Sequence, residues 1–142
     1  MRVLITGITG FVGARLEEHL KEQGAEVFGT SRKVSRRRNV FKLNLMSKQD
    51  TTRLLKQISP THVFHLAGIS NVRQSWNKKA ETIGANTMGT IHLLEAVKSV
   101  NPEARVVTIG SSEEYGCAND DKVPETAPLN PLNPYGVSKA AV

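Results

Sequence analysis

The stretch that decides the fold is residues 3–13, which read Val-Leu-Ile-Thr-Gly-Ile-Thr-Gly-Phe-Val-Gly. The apolar run Val3–Thr6 ends at a glycine, and three glycines spaced three apart lead directly into an amphipathic segment. Gly7 suits a tight turn, Gly10 lets the backbone approach a ligand, and Gly13 permits close packing of a helix on a strand. The pattern predicts a strand, a glycine-rich turn, and a helix whose N-terminal amides face phosphate groups.

Outward from this stretch, apolar runs and helix-like segments alternate along the chain. The further predicted strands are Glu26–Thr30, Val40–Leu45, His62–Ala67 and Arg105–Ile109. The predicted helices are Phe11–Gln23, Ser47–Ile58 and Thr82–Val100, the last with Ile83, Thr87, Ile91, Leu94 and Val97 on its inner side. Strands that are apolar throughout and separated by helices predict a parallel sheet covered on both faces. The predicted fold class is therefore α/β, a doubly wound parallel sheet of the Rossmann type, truncated after the fifth strand and the start of the following helix.

Length and composition restrict the class of protein. The chain has 142 residues, enough for one domain with a core, and 39% of them are hydrophobic, which is ordinary for a soluble protein. No apolar run approaches the roughly 18 residues of a membrane span, and the N-terminus does not resemble a signal peptide. The single Cys117 excludes an internal disulfide and fits a reducing compartment. We therefore expect a cytoplasmic protein without a membrane segment. We also expect no metal site, because His62 and His65 point to opposite faces of one predicted strand.

A basic segment follows the second predicted strand. The net charge is +6, and Arg32, Lys33 and residues 36–38, all arginine, lie close together. Such a segment can bind nucleic acid, a cofactor phosphate, or only water. A carboxylate at the end of this strand would bind the ribose 2′-hydroxyl of NAD, but the chain has Ser31 and Arg32 there. One or two hydrogen bonds to a 2′-phosphate, worth about 1.5–3 kcal/mol each, select NADP more than tenfold, so we predict NADP, with NAD as the alternative.

The end of the chain carries a candidate acid–base pair. Tyr135 and Lys139 are four residues apart and share one face of a helix, and Pro134 suits the first turn of that helix. A tyrosine that acts as a base near neutrality must lose about 3 pKa units, or about 4 kcal/mol. A lysine charge about 4 Å away supplies about that amount at an effective dielectric constant of 20. The pair is sufficient for an activated phenolate, although the same spacing also occurs on ordinary helix surfaces.

Taken together, these motifs resemble the extended short-chain dehydrogenase/reductase family, which includes the NAD-dependent epimerases and dehydratases. The resemblance rests on the glycine loop, on Ser111, on Tyr135 with Lys139, and on two further segments, Leu66-Ala67-Gly68 and Asn86-Thr87-Met88-Gly89-Thr90. Residues 110–116 (Gly-Ser-Ser-Glu-Glu-Tyr-Gly) and the segment before Lys139 are most similar to GDP-mannose 4,6-dehydratases and GDP-4-keto-6-deoxymannose reductases.

The resemblance implies a role for each matching residue. Tyr135 would exchange the proton of the sugar C4 oxygen, Lys139 would lower the tyrosine pKa and bind the nicotinamide ribose, and Ser111 would hydrogen-bond the same sugar oxygen. Glu113 matches the dehydratase glutamate that removes the C5 proton, so that water leaves from C6. Asn44 and Leu45 would flank the adenine, although aspartate is more usual at the first of these positions. The implied cofactor-binding residues are Gly7, Thr9, Gly10, Phe11, Val12, Gly13, Ser31, Arg32, Asn44, Leu45, Leu66, Ala67, Gly68 and Asn86.

The resemblance also implies a longer protein. Family members continue beyond the Tyr-x-x-x-Lys helix into a smaller domain that binds the substrate nucleotide. We therefore expect residues 1–142 to be the N-terminal part of an NADP-binding Rossmann domain, without the C-terminal substrate domain. This part would bind cofactor without being a complete enzyme, and the full-length form would be a homodimer acting on a nucleotide sugar, most simply a GDP-sugar. The alternatives are another nucleotide-sugar epimerase or reductase, a dinucleotide-binding module without turnover, or a nucleic-acid binder. We expect no nucleic-acid binding, because the basic segment lacks interleaved aromatic residues.

Overall fold

The computed structural model describes residues 1–117 and 122–142, which fall into two compact units. The first unit comprises Met1–Ala67 and Gly89–Ile109, and the second comprises Gly68–Met88 and Gly110–Val142. The strands of the first unit are β1 (Arg2–Thr6), β2 (Glu26–Ser31), β3 (Val40–Lys42), β4 (His62–His65) and β5 (Arg105–Thr108). Its helices are α1 (Phe11–Glu22), α2 (Lys48–Ile58) and α5 (Gly89–Val100). The helices of the second unit are α3 (Val72–Asn77), α4 (Lys79–Ile83), a π-helical turn (Gly84–Met88), a 3₁₀ turn (Ser112–Glu114) and α6 (Pro134–Ala140).

The five strands form one parallel sheet in the order β3-β2-β1-β4-β5. Strand β1 is central, and its Ile5 lies opposite Gly29 of β2 and Phe64 of β4. The order reverses direction beside β1, as in the doubly wound dinucleotide-binding sheets. The predicted fold class is confirmed.

Two separate apolar clusters cover the two faces of this sheet. Side chains alternate along β1, so Val3 and Ile5 enter one cluster and Leu4 enters the other. The first cluster includes Leu20 of α1, and the second includes residues of α2 and α5, among them Leu55. Helix α1 therefore covers one face and helices α2 and α5 cover the other, which explains why the central strand β1 is an almost continuous apolar run.

The predicted ends of the first two helices agree with the structure because their local signals are strong. Helix α1 is followed by Gly24 with a positive φ of 74°, the usual conformation after a helix C-terminus. The side chain of Ser47 caps α2 by accepting a hydrogen bond from the Asp50 amide at 3.3 Å. Strands β3 and β4 end at Lys42 and His65, earlier than predicted, because the apolar residues that follow them belong to loops.

Residues 82–100 are helical throughout, as predicted, but they are not one regular α-helix. The range comprises the end of α4, the π-helical turn and then α5. The predicted inner face was wrong in part: Val97 is buried as predicted, together with Leu93 and Ala96, whereas Ile91 and Leu94 are each 39% exposed. Apolar residues occupy several faces of α5, so their spacing alone did not identify the buried one.

In the second unit, helix α6 packs against α3, α4, the π-helical turn and the 3₁₀ turn. This short helix is therefore stabilised by its neighbours rather than by its own length. Over residues 1–117 and 122–142, none of the helices has both the length and the apolar character needed to cross a bilayer.

Candidate functional site

The glycine loop after β1 is built by backbone contacts within the first unit. Gly7 has a positive φ of 72°, and its amide and that of Ile8 both donate to the carbonyl oxygen of Thr30, at 3.1 and 3.2 Å. The Gly10 amide donates to the Gly7 carbonyl at 2.9 Å. These bonds hold the loop at the carboxyl end of β1, where doubly wound sheets bind ligands.

Helix α1 begins with an N-terminus that suits an anion. Its cap residue, Gly10, makes no side-chain cap, and the first turn contains no acidic residue. A Cβ at Gly13 would lie 2.5 Å from the Gly7 carbonyl oxygen and 2.8 Å from the Ile8 Cα, so only glycine lets the helix approach the loop this closely. Phe11 is 87% exposed despite its apolar ring. The uncapped amides, the positive helix end and the lack of side chains fit the pyrophosphate of a dinucleotide.

The segment after β4 lies directly against this loop. A Cβ at Gly7 would be 3.0 Å from both the amide nitrogen and the Cα of Ala67, and the Ala67 amide donates to Thr6 Oγ1 at 3.1 Å. His65 is buried and hydrogen-bonds Thr6 Oγ1 through Nδ1 at 2.7 Å and Thr90 Oγ1 through Nε2 at 2.8 Å. The structure thus brings Ala67 to the glycine loop, and a cofactor path along these two segments stays a prediction.

The basic segment starts at Ser31, where the end of β2 meets the glycine loop. Ser31 Oγ accepts hydrogen bonds from the Lys33 amide at 3.1 Å and from Thr9 Oγ1 at 3.4 Å. Arg32 is exposed, and so are the neighbouring lysine and the arginines at positions 36–38. No carboxylate stands at the end of this strand, so a 2′-phosphate would meet hydroxyls and cations here.

A buried carboxylate that the sequence did not reveal anchors this segment. The side chain of Glu17, on α1, is 6% exposed, and its Oε1 accepts hydrogen bonds from Arg37, from Lys21 at 2.8 Å and from Asn39 at 3.3 Å. Burial raises the pKa of Glu17, but the hydrogen bonds from Arg37, Lys21 and Asn39 outweigh it, so the net pKa is lowered. Glu17 therefore stays ionised and joins helix α1 to the basic segment.

The two residues predicted to flank the adenine follow β3. Asn44 is exposed, and its Oδ1 accepts a hydrogen bond from the Met46 amide at 3.1 Å, which forms a tight turn. Leu45 is half-buried and packs against the apolar cluster of α2 and α5. Their contact with adenine stays a prediction.

In the second unit, Asn86 lies in the π-helical turn and its side chain has structural partners. Its Oδ1 accepts from the Ile69 amide at 2.7 Å, and its Nδ2 donates to the Ile69 carbonyl at 3.0 Å and to Ser138 Oγ at 2.9 Å. A Cβ at Gly68 would lie 3.0 Å from Asn86 Oδ1. The predicted cofactor residues Gly68 and Asn86 are therefore neighbours. Single π-helical turns are frequent at functional sites.

The 3₁₀ turn after β5 carries the predicted serine and glutamate. Ser111 Oγ accepts a hydrogen bond from the Glu113 amide at 3.3 Å. The Ser111 amide donates to Glu114 Oε1 at 2.7 Å, so the two residues form a capping box. Glu114 thus has a structural role, whereas the Glu113 carboxylate points to a different partner.

That partner is Asn133, the N-cap of α6. Asn133 Nδ2 donates to Glu113 Oε2 at 2.5 Å, and Asn133 Oδ1 accepts from the Gly136 amide at 2.8 Å. A Cβ at Gly136 would lie 2.4 Å from the Glu113 carbonyl oxygen, so the helix and the 3₁₀ turn touch through their backbones. Pro134 occupies the first helical position, as predicted.

Helix α6 brings the predicted acid–base pair together. Lys139 Nζ lies 6.0 Å from the centroid of the Tyr135 ring, on the same face of the helix. Burial lowers the pKa of Lys139, and the negative charge of Glu114 opposes that effect. A lysine with a lowered pKa beside a tyrosine is typical of a site that moves protons.

Three residues were missed by sequence reasoning: Glu17 in the first unit, and Glu114 as a capping residue and Asn133 in the second. Two of them had a local signal. Ser111-x-x-Glu114 has the spacing of a capping box, and Asn133-Pro134 has the residue types of an N-cap followed by the first helical position. The burial of Glu17 had none, because Lys21 is an ordinary neighbour on the same helix and the other two partners, Arg37 and Asn39, come from an irregular loop.

Comparisons with known proteins agree with these features. Residues 3–142 match the NAD dependent epimerase/dehydratase family. GDP-mannose 4,6-dehydratase of Yersinia enterocolitica is 33% identical over 97% of this chain and 42% of its own length, and the human enzyme of that name is 32% identical over 96% and 42%. The structure of Thermus thermophilus UDP-glucose 4-epimerase in complex with NAD is 31% identical, with a TM-score of 0.88 over 99% of this chain and 48% of that one.

The chain spans less than half the length of these relatives. Within that span, the match covers the glycine loop, the five strands and the helix with Tyr135 and Lys139. The resemblance inferred from the motifs is confirmed, whereas NADP preference, the homodimer and the cytoplasmic location stay predictions. The chain belongs to the NAD-dependent epimerase/dehydratase family, as do GDP-mannose 4,6-dehydratases and a UDP-glucose 4-epimerase to which it is similar.

Proposed function

We propose that the full-length protein is an NADP-dependent GDP-mannose 4,6-dehydratase, and that residues 1–142 bind the cofactor and carry the acid–base residues. The observation that carries the proposal is Glu113, whose carboxylate is held by the cap of the helix that bears Tyr135 and Lys139. A dehydratase needs a base for the C5 proton in addition to the tyrosine at C4, and this arrangement supplies both. The 33% identity to a GDP-mannose 4,6-dehydratase supports the same substrate class.

Four residues of the second unit each have a task in this reaction. The nicotinamide, when bound, supplies the hydride acceptor and donor. Tyr135 takes the proton of the C4 hydroxyl, and Lys139 stabilises the resulting phenolate. Ser111 hydrogen-bonds the C4 oxygen. Glu113 removes the C5 proton, which the neighbouring C4 ketone makes acidic, and a proton passed to the C6 hydroxyl lets it leave as water. Return of the hydride to C6 and addition of a proton from solvent at C5 then give the 4-keto-6-deoxy sugar.

The proposed cofactor is NADP, on account of the end of β2. Ser31 and the exposed Arg32 stand where a carboxylate would favour NAD. Titration should show that NADP binds at least tenfold more tightly than NAD, and Arg32→Ala should remove most of that difference by weakening NADP alone. Arg105→Ala, an exposed arginine on β5, is the matched control and should leave both affinities unchanged. Equal affinities in the unaltered protein would refute the cofactor assignment without touching the reaction.

A UDP-sugar 4-epimerase is the second candidate, because the Thermus thermophilus UDP-glucose 4-epimerase is 31% identical to this chain. A reductase of a 4-keto-6-deoxy sugar uses the same hydride transfer at C4 as the epimerase and the dehydratase. Neither reaction requires a proton to leave C5, so Glu113 separates them from the dehydratase.

The first experiment incubates the full-length protein with GDP-mannose in deuterated water. We expect a product lighter by one water, apart from deuterium incorporated at C5. Tyr135→Phe should lower turnover by a factor of about 100 or more, because a general acid–base residue is lost. Turnover of UDP-glucose to its C4 epimer, with no water loss from GDP-mannose, would identify the epimerase instead.

The second experiment replaces the proposed C5 base. Glu113→Gln keeps the size and the hydrogen bond to Asn133 but cannot accept a proton. It should retain oxidation at C4 in a single turnover while abolishing deuterium exchange at C5 and the loss of water. Glu103→Gln, which alters an exposed carboxylate before β5, should leave every step intact. Equal loss of C4 oxidation and water elimination in Glu113→Gln would give this residue a structural role and remove the main support for the dehydratase.

A further inference from the structure

Asn133 is a polar side chain with no assigned task in the reaction, and it is 8% exposed. Its Oδ1 accepts the Gly136 amide at 2.8 Å, as an N-cap side chain does. A backbone amide can only donate, so this bond fixes the oxygen on the helix side and the NH₂ group on the other. The NH₂ group therefore faces Glu113, to which it donates at 2.5 Å.

One side chain thus joins two parts of the proposed site. Asn133 lies two residues before Tyr135 and is hydrogen-bonded to the first turn of α6 through its Oδ1. Its Nδ2 is hydrogen-bonded to the Glu113 carboxylate. The backbone of Glu113 is held at the same place, since a Cβ at Gly136 would meet its carbonyl oxygen at 2.4 Å. Helix α6, which carries Tyr135, therefore contacts both the backbone and the carboxylate of Glu113 and fixes their positions.

A carboxylate base needs a fixed direction. A donor on Oε2 restricts rotation of the Glu113 carboxylate and leaves Oε1 for the substrate proton. We infer that Asn133 is a positioning residue of the elimination step, which orients the Glu113 carboxylate relative to Tyr135. The inference rests on the proposed function, because only a dehydratase uses Glu113 as a base.

Two substitutions separate the cap from the positioning role. Asn133→Asp and Asn133→Ser both keep an N-cap acceptor, since Asn, Asp and Ser cap helices about equally well. The aspartate places a second negative charge beside Glu113, which favours the protonated form of that pair of carboxylates. The serine removes the donor without adding charge.

In the full-length protein, the pH dependence of water elimination provides the first readout. Asn133→Asp should move the acidic limb of the pH–rate profile upward by about one pH unit or more. The rate on the plateau should fall by a smaller factor than the rate on that limb. Asn133→Ser should slow elimination about tenfold or more with little movement of the limb, because the base is no longer oriented. Asn71→Asp, the same change at the N-cap of α3, is the matched control and should leave the limb in place.

Thermal unfolding provides a second readout that does not depend on turnover. Asn133→Asp should lower the unfolding temperature at neutral pH when residue 113 is Glu, because two carboxylates then face each other. In the Glu113→Gln background, Asn133→Asp should lower the unfolding temperature only slightly, since the glutamine NH₂ donates a hydrogen bond to the new aspartate. The difference between the two backgrounds should shrink at low pH, where carboxylates are protonated.

The outcomes distinguish the two proposals. A shifted acidic limb in Asn133→Asp together with rescue by Glu113→Gln in unfolding supports the inference. An unmoved limb in Asn133→Asp, or elimination within twofold of the unaltered rate in Asn133→Ser, overturns it even when the protein is a dehydratase. If the unaltered protein eliminates no water, the proposed function fails, and equal costs of Asn133→Asp in both backgrounds would then also overturn the contact with Glu113.

Discussion

Gly13→Ala tests whether the contact between helix α1 and the glycine loop serves cofactor binding. The new Cβ would lie 2.5 Å from the Gly7 carbonyl oxygen and 2.8 Å from the Ile8 Cα. Both neighbours are backbone atoms, so no side chain can turn aside. Contacts of this kind essentially never fall below 3.0 Å, so the loop and the helix must separate by about 0.5 Å or more.

The stability effect combines two opposing terms. Overpacking costs about 1–3 kcal/mol, whereas alanine inside a helix is favoured over glycine by about 1 kcal/mol. The net loss of unfolding free energy is therefore about 0–2 kcal/mol, and the protein stays folded. Binding is more sensitive, because amide hydrogen bonds to a phosphate are worth about 1.5–3 kcal/mol each and require good geometry. Losing one of them weakens the cofactor at least about tenfold.

The assay measures the dissociation constant of NADP and the unfolding free energy on the same samples. Gly24→Ala, just after the other end of α1, is the control. Its φ of 74° makes alanine unfavourable by about 1–2 kcal/mol, but nothing lies within 4 Å of the new Cβ. We expect similar stability losses in the two variants and weaker NADP binding only in Gly13→Ala. Unchanged NADP affinity in Gly13→Ala, or an equal loss in Gly24→Ala, would refute the role given to this contact.

Three further predictions concern residues whose surroundings the structure defines. Glu17 has a pKa lowered from 4.5, so the stabilisation from its hydrogen bonds is present above that pH and is lost as the pH falls through the lowered pKa. Glu17→Gln should lower the free energy of unfolding in urea by about 1–3 kcal/mol at pH 7. A stability difference between the two proteins that did not narrow towards pH 3 would contradict this. Thr6→Val removes the hydroxyl that is hydrogen-bonded to the buried His65, and it should lower the free energy of unfolding in urea by about 2 kcal/mol or more. Thr6→Ser keeps the hydroxyl and should lower it by less than half as much. Gly136→Ala should slow water elimination about tenfold or more by displacing Glu113, with a loss of unfolding free energy of at most about 2 kcal/mol, and normal elimination would show that the contact is unimportant.

Much of the fold could be predicted because its signals are local. The three jobs assigned to Gly7, Gly10 and Gly13 concern a single turn, and the structure shows the positive φ and the close contacts that two of those jobs require. Strand β1 is buried on both faces and appears as a continuous apolar run, whereas β5 at the edge of the sheet is largely exposed. Helix α5 could not be oriented in the same way, since Ile91 and Leu94 make an exposed face as apolar as the buried one.

Candidate site residues could be proposed from the sequence, but their partners could not. Ser111, Glu113, Tyr135 and Lys139 were selected because their types and order match a family, and their roles stay predictions. The bond between Glu113 and Asn133 joins residues twenty positions apart, and no repeating sequence pattern predicts a contact at that separation. Glu17 is harder still, because a glutamate in an amphipathic helix is normally solvated, and only the three partners in the structure explain its burial.

Glu113 and Glu114 show how one short turn gives two identical side chains different chemistry. A 3₁₀ turn rotates by about 120° per residue, so neighbouring side chains point in different directions. Glu114 turns back to the Ser111 amide, and its charge raises the pKa of Lys139 against the effect of burial. That charge helps Lys139 stay protonated, which is the state that stabilises a Tyr135 phenolate. A carboxylate occupied in this way is poorly suited to remove a substrate proton. Glu113 has one oxygen on a side-chain amide and the other directed elsewhere, so it is the one of the two that can act as the base.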